Sequence, residues 1–252
     1  MPKSSIVPGP SLIAVLVVLL LLAAVVVWRG GLGSGRGVVV AGARAAVQLA
    51  AVSLVIAAVL RSGWWTAAFV LLMFTVATMT SARRIAAPRA VGYVAAAIGS
   101  GVAPVLGLVL ASGAVPLRPI AVMPIAGIVI GGAMSATSQA ARRALDDLRT
   151  RHGEYEAALA LGLRRRPAAL EICRPAAGHA LIPALDQTRT VGLVTLPGAY
   201  VGVLLGGASP VQAGVTQLLV LIGLLAAEAV AVLVAVHLVA AGRLRGNRPG
   251  DI

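Results

Sequence analysis

Charge is scarce in this chain of 252 residues: only 12% of its residues are Asp, Glu, Lys or Arg, about half the share of an average soluble domain. So few charges cannot cover a large aqueous surface. With 59% apolar residues and a mean hydropathy of +0.97, no room is left for a sizeable soluble domain. Aromatic residues are also scarce at 3%, so the apolar excess is Ala, Val, Leu and Ile, which suit helices in lipid. The single cysteine, Cys173, excludes an intrachain disulfide and a cysteine-based metal cluster. Lysine occurs once, at Lys3, with no Gly-x-x-x-x-Gly before it, which excludes a Walker A phosphate loop. Only 8 acidic residues stand against 21 basic ones, too few for paired-carboxylate metal chemistry.

What is present is a series of long apolar runs. Crossing about 30 Å of hydrocarbon as a helix takes roughly 17–25 such residues. The runs lie at about 12–27, 38–60, 64–80, 90–110, 120–139, 191–205 and 215–239, the sixth interrupted by Pro197-Gly198. The first has a thin basic region before it and no small-x-small cleavage site, so it reads as a retained span. The expectation is an all-α polytopic membrane protein with about seven transmembrane helices. It forms one permease-like domain over 1–252, with one long polar loop at 142–174 and no nucleic-acid partner. The net charge of +13 is therefore topology: short cytoplasmic loops collect Arg and Lys. Alternate faces hold 17 and 3 basic residues, the smaller set being Lys3, Arg61 and Arg118. That asymmetry predicts a plasma-membrane protein with its N-terminus outside, its C-terminus cytoplasmic, and the 142–174 loop in the cytoplasm.

Within that loop, Glu156-Ala157-Ala158 is followed after three residues by Gly162 and after nine more by Ile172. This spacing resembles the EAA loop of ABC-transporter permeases, with Arg174 where the pattern has Leu. The segment from Glu154 to Leu161 should be a helix with acids at its start, favourable against the helix dipole. Gly162 should stop it in the left-handed conformation, Leu163 should pack back, and Pro167 prevents continuation. Ala157, Ala158 and Leu161 would share a face small enough to enter a groove on another protein. The alternative is an ordinary interfacial helix. Upstream, Arg142/Asp146 and Arg143/Asp147 are spaced to form surface pairs.

The chain also resembles the small iron-export ABC permeases of bacteria, whose plant relatives are aluminium-tolerance proteins. The resemblance rests on residues 122–127 (Val-Met-Pro-Ile-Ala-Gly) and 131–134 (Gly-Gly-Ala-Met), and on 156–162. It extends to 181–183 with Asp186, and to 190–198 (Thr-Val-Gly-Leu-Val-Thr-Leu-Pro-Gly). Ile128 and Gly132 depart from it, standing where the family pattern has Met and Asn. The resemblance implies a permease homodimer with two copies of a separate ATPase. ATP and Mg would be held by that partner, with none bound by this chain, and the cargo would be iron, another metal cation or a metal complex leaving the cytoplasm. The rival readings are an ABC permease for a non-metal cargo, an ATP-independent secondary transporter or channel, and an intramembrane enzyme. Neither repeated halves nor a Ser–His pairing supports the last two.

Polar residues inside apolar runs are the candidates for a transport pathway. Glu228 is central in the seventh run, where a charge costs roughly 2.5–3.5 kcal/mol. It reads either as a pathway or proton site or as a protonated group binding helices together. Asp186 and Arg189 read either as a gate or as an interfacial ion pair. Pro197-Gly198 reads as a break lining a pathway or as a static kink. Gln48 and Ser135, Thr137, Ser138 and Gln139 are further oxygen donors, and Met134 is a soft one, yet no ligand spacing for a metal is visible among His152, His179, His237 and the methionines. The topology is testable in a Cys173→Ser background. Cysteines at Arg36, Ala87 and Arg151 should be shielded from impermeant thiol reagents in intact cells, whereas cysteines at Ser62 or Ala114 should label. External labelling at position 151 would invert the scheme.

Overall fold

The computed structural model describes residues 9–59 and 62–244, and every described regular element is helical apart from one isolated bridge between Val191 and Thr195. Lys3, Arg61, Arg245 and Arg248, which enter the charge count above, lie outside the described residues. Six helices are long and apolar enough to cross a membrane. The chain divides into two units, residues 1–61 and 62–252.

The first unit contains α1 (Pro10–Arg29) and α2 (Gly35–Val59). They form an antiparallel hairpin in which a Cβ at Gly35 would meet the Ala24 carbonyl and one at Gly42 would meet Leu20. Pro10 at the first helical position removes one of the unpaired N-terminal donors, and basic Arg29 closes α1. The second helix starts at Gly35, so Arg36 stands in its first turn rather than in a loop.

The second unit contains α3 (Gly63–Arg84), α4 (Val91–Ala111), α5 (Pro119–Thr150), α6 (His152–Ala160), α7 (Arg165–Gly178), α8 (Ile182–Thr190), α9 (Gly198–Leu205) and α10 (Pro210–Ala240). Ser62 caps α3 by accepting from Trp64 N–H, and a reciprocal Ser209/Gln212 capping box starts α10. Arg83 and Arg84 belong to the last turn of α3, and the basic loop narrows to 85–90. The fifth run, about 120–139, continues as one helix through the Arg142–Asp147 stretch to Thr150, about 48 Å in all, and so projects well beyond a bilayer's hydrocarbon.

Helix directions in this unit follow from side-chain pairings. Gly101 faces Ala227, Gly223 faces Val105, and Tyr93 accepts from Arg243 at 3.1 Å, so α4 and α10 are antiparallel. Gly132 faces Leu224 and Glu228, while Leu148 lines a cavity with residues 239–242, so α5 and α10 are parallel. Gly127 faces Met73 and Ser138 is hydrogen bonded to Ser81, so α3 and α5 are parallel too. The end of α5 and the start of α10 therefore lie on opposite faces, and residues 151–209 must return across the bundle. This crossing was expected as an apolar helix over 191–205, but only eight of those residues are helical, too few to span. It is assembled instead from α7, the 3₁₀ turn His179–Leu181, α8, an irregular turn at 191–197, and α9. Among the described residues this gives six helices long and apolar enough to cross a membrane and, in the second unit, one broken return between α5 and α10.

The core of this unit is built from small residues. Ala126, Ala133, Ala140, Ala141 and Ala144 on α5 and Ala227, Ala231 and Ala235 on α10 are buried, with Val94, Ile98 and Val102 of α4. The face of α7 made by Ala168, Ala169, Ile172, Cys173, Ala176 and Ala177 is buried as well, and Cys173 Sγ lies 3.7 Å from the Ala144 carbonyl. Gly101 makes the closest approach: a Cβ there would lie 2.1 Å from the Ala227 carbonyl oxygen. Gly101→Val should therefore cost more than about 3 kcal/mol, above the usual range for an overpacked core. The Cβ of Gly107→Ala meets nothing within 4 Å, and this variant should be neutral or slightly stabilising. Unfolding of both variants in detergent checks the difference.

Candidate functional site

The candidate groups fall in two regions: the short helix α6 after α5, and the polar groups along the broken return of the second unit and its neighbours. The first turn of α6 is fixed by Arg151, which donates from Nε to Glu154 at 2.8 Å and lies 4.0 Å from Asp147. The Arg151 hydrogen bond holds the Glu154 carboxyl below the usual carboxylate range, and the same contact raises the Arg151 guanidinium. Tyr155 is buried beneath the helix, its ring 6.0 Å from that of His152, and His152 Nδ1 stands 3.5 Å from Glu156.

The C-terminus of α6 ends as the sequence suggested. Gly162 has φ +91°, the Leu163 amide donates to the Ala158 carbonyl at 3.1 Å, and the Gly162 amide donates to Leu159 at 2.9 Å. This is the Schellman pattern that a left-handed glycine permits. The expected shared face of Ala157, Ala158 and Leu161 is only partly right. Ala158 and Leu159 turn inward with Tyr155 and pack against the core, because the helix is too short to present more than one free face. Outward lie Glu156, Ala157, Ala160 and Leu161, the last 82% exposed, an apolar side chain at the tip of a charged helix.

Upstream, the expected Arg142/Asp146 and Arg143/Asp147 pairs give way to Arg149–Asp146 at 3.2 Å and Arg151–Asp147, while Arg142 Nε donates to the Ser138 carbonyl. Arg142 folds back along its own helix onto the Ser138 carbonyl instead of reaching forward to Asp146.

Glu228 is 7% exposed on α10, and its Oε1 occupies the space a Cβ at position 132 would need, 2.5 Å away. The glycine at 132 thus makes the seat for the carboxyl, a relation across 96 residues with no local signal. Asp186 and Arg189 do pair, at 3.6 Å and both exposed on α8. Beyond them the chain leaves the helix: Gly192 turns with φ +83°, its amide donating to Thr195 at 2.9 Å, and Leu193 is 92% exposed. Pro197 caps α9 and Gly198 is its first residue, so the break precedes these two residues rather than being centred on them. Met134 packs against the core and its carbonyl accepts from Ser138, whereas Gln48 belongs to α2 of the first unit. Sequence reasoning passed over Tyr155, and also the buried Gln217, whose Oε1, like Thr137 Oγ1, has no hydrogen-bond partner among the described residues. Among the described residues no three His, Cys, Asp or Glu side chains gather into a metal-binding group.

Residues 11–242 match the model of an uncharacterised protein family, UPF0014. The UPF0014 membrane protein STAR2 of Oryza sativa subsp. japonica is 34% identical over 199 residues, covering 78% of this chain and 70% of the relative. Protein ALUMINUM SENSITIVE 3 of Arabidopsis thaliana is 36% identical over 161 residues, 64% of this chain and 59% of that protein. The Probable iron export permease protein FetB of Escherichia coli (strain K12) is 31% identical over 146 residues, 58% and 56% respectively. The chain is thus aligned with less than two thirds of the length of these last two. No solved structure matches the chain.

The Arg151–Glu154 tether has a defined pH dependence. Because the folded-state carboxyl is depressed, its contribution is full above the ordinary carboxylate range and is lost as pH falls through the lowered value. The protection of the α6 amides, taken against their intrinsic exchange at each pH, should fall on acidification through that window, and Glu154→Gln should show at neutral pH the low protection that the wild type shows in acid.

Proposed function

The chain belongs to the UPF0014 family, and from that premise we propose that it is the membrane-spanning permease of an ATP-driven exporter, with α6 as the docking lever for a separate ATPase. The observation that carries this reading is the geometry of α6. A short helix with the EAA spacing is pinned at its start by Arg151 and from beneath by Tyr155, is stopped by Gly162, and offers Glu156, Ala157, Ala160 and Leu161 outward. Leu161, 82% exposed and rimmed by small residues and a charge, has a shape that a groove on a partner could accept. With no lysine in a phosphate loop, nucleotide chemistry falls to the partner, which would bind ATP and Mg. Two permease copies and two ATPases make the working assembly, in the plasma membrane with the N-terminus outside and the tail inside. Hydrolysis belongs to the partner and passage to this chain.

The cargo we propose is iron, another metal cation or a small metal complex, moved out of the cytoplasm. The printed name of the Escherichia coli relative supports it, as does a carboxyl at Glu228 deep in the bundle, which can offset a cation's charge. The broken crossing with Asp186, Arg189 and the turn before Pro197 supplies irregular backbone beside the pathway, a feature transporters use at cargo sites.

Gly162→Val forces a β-branched residue into φ +91°, and Leu161→Glu removes the apolar tip. Each should weaken ATPase association about tenfold, or about 1.4 kcal/mol, in pull-downs from membranes where the permease level is unchanged. Wild-type association in both would sink the docking reading. Cargo is tested separately: cells lacking the chain should hold more iron, and Glu228→Gln should impair efflux more than assembly. Unchanged iron on deletion, with the ATPase present, would leave the permease reading standing and remove the metal.

A further inference from the structure

The outward stripe of α5 changes character along its length in a way the transport reading does not use. Residues at successive i, i+4, i+7 positions run from Pro124, Ile128 and Gly131 through Ser135 and Gln139 to Arg142 and Asp146, all exposed or half-buried. The upper part is apolar and shallow, since a Cβ on Gly131 would meet nothing within 4 Å. The middle offers a hydroxyl and an amide, and the lower part opens into a cavity of about 390 Å³ lined by Arg84, Ser135, Gln139, Arg142, Arg143 and Asp146. A second cavity of about 240 Å³ shares Arg84, Arg142 and Asp146 and adds Arg149.

The depth of these arginines is set by helix length. Arg84 is about 32 Å from the start of α3 and Arg142 about 35 Å from the start of α5, at 1.5 Å per residue. Both therefore stand one hydrocarbon thickness from the opposite face, at headgroup level. The only acid in the cavity, Asp146, is already engaged by Arg149. Arg142 spends one donor on the Ser138 carbonyl, and the guanidinium groups of Arg84 and Arg143 have no protein partner among the described residues. Basic pockets beside helices on the cytoplasmic side bind the head groups of anionic lipids, and the fork of a guanidinium matches two phosphate oxygens.

We propose that this cavity holds the phosphate of an anionic inner-leaflet phospholipid, with Arg84, Arg142 and Arg143 on the phosphate oxygens. Ser135 and Gln139 would lie at the ester level, and one acyl chain would follow Gly131, Ile128 and Pro124. The same guanidinium chemistry would accept a soluble phosphate, so the acyl lane is what commits the site to a lipid. The inference stands apart from the docking of α6 and from the cargo.

The test uses the full chain purified in an uncharged detergent, with bound lipid counted by native mass spectrometry after adding short-chain phosphatidylglycerol or phosphatidylcholine. Phosphatidylglycerol should be retained at least about fivefold better, a difference of about 1 kcal/mol. Inorganic phosphate at equal concentration should not displace it. The double change Arg142→Gln with Arg143→Gln should abolish the preference. Arg165→Gln with Arg166→Gln, the same loss of charge on exposed arginines of α7, should preserve it. A preference that survives the first pair or is lost in the second overturns the site, as does no preference in the wild type. Displacement by inorganic phosphate overturns the lipid and assigns a soluble anion.

Discussion

The second unit depends on how closely α4, α5 and α10 approach one another. In lipid there is no hydrophobic drive to bring helices together, so association rests on dispersion contacts that small residues allow. Gly101 lets the α10 backbone come against α4, and Gly132 admits Leu224 and Glu228 against α5. Ala97 on α4 and Ala133 and Ala136 on α5 are buried close to these two glycines. Everything else in the unit is placed by this seam: α3 joins it through Ser81 and Ser138, and α7 through Cys173 and Ala144. A carboxyl in such a seam has no room to leave. Glu228 sits in a slot defined by the absence of a side chain at position 132, so the polar group and the packing device are one feature.

A continuous mechanical path runs from α6 into this seam. The tether residue Arg151 directly follows α5, itself a single helix from one face of the bundle to the projecting end at Thr150. Tyr155 is part of the same buried cluster as Leu148 and Ala169, which joins α6 to α5 and α7. α7 is itself the first segment of the broken crossing. On the proposed reading, a displacement of α6 by an ATPase would therefore load α5 along its axis and α7 at its start, and α7 leads through the 3₁₀ turn into α8, which carries Asp186 and Arg189. Cooperative packing of this kind transmits motion because interdigitated side chains are not compressible.

Much of this was legible in the residues. Six long crossings, the helix after Glu154, its left-handed stop at Gly162 and the Asp186–Arg189 pair follow from run length, capping chemistry and i, i+3 spacing, which are local signals. The sixth crossing was misplaced for a physical reason. Its inner half carries Glu171, Arg174, His179, Asp186 and Arg189, so hydropathy reads it as a loop, although its alanine face is buried against α5 and α10. Hydropathy measures what a helix would show to lipid, and α7 shows its apolar face to protein. The inward turn of Ala158 was hidden for a similar reason: Tyr155 and Leu159 outweigh it, and which face wins depends on neighbours outside the segment. The seat of Glu228 depends on a residue 96 positions away.

The two functional proposals bear on one electrostatic difficulty. An exporter of cations should not present a dense positive rim where cargo enters, yet Arg84, Arg142, Arg143 and Arg149 gather around the outward face of α5 towards one end of the bundle. Screening over about 8 Å at physiological salt softens their long-range field but leaves groups within a few ångströms unscreened. A phosphate held among them would cancel part of that charge locally, and would do so only when the chain is embedded in a leaflet containing anionic lipid. The rim would then be positive enough to fix orientation during insertion and closer to neutral once the protein is in place. A cation approaching Glu228 from the inner side would meet a neutralised arginine cluster first and a buried carboxyl afterwards, a gradient that runs in the direction export requires.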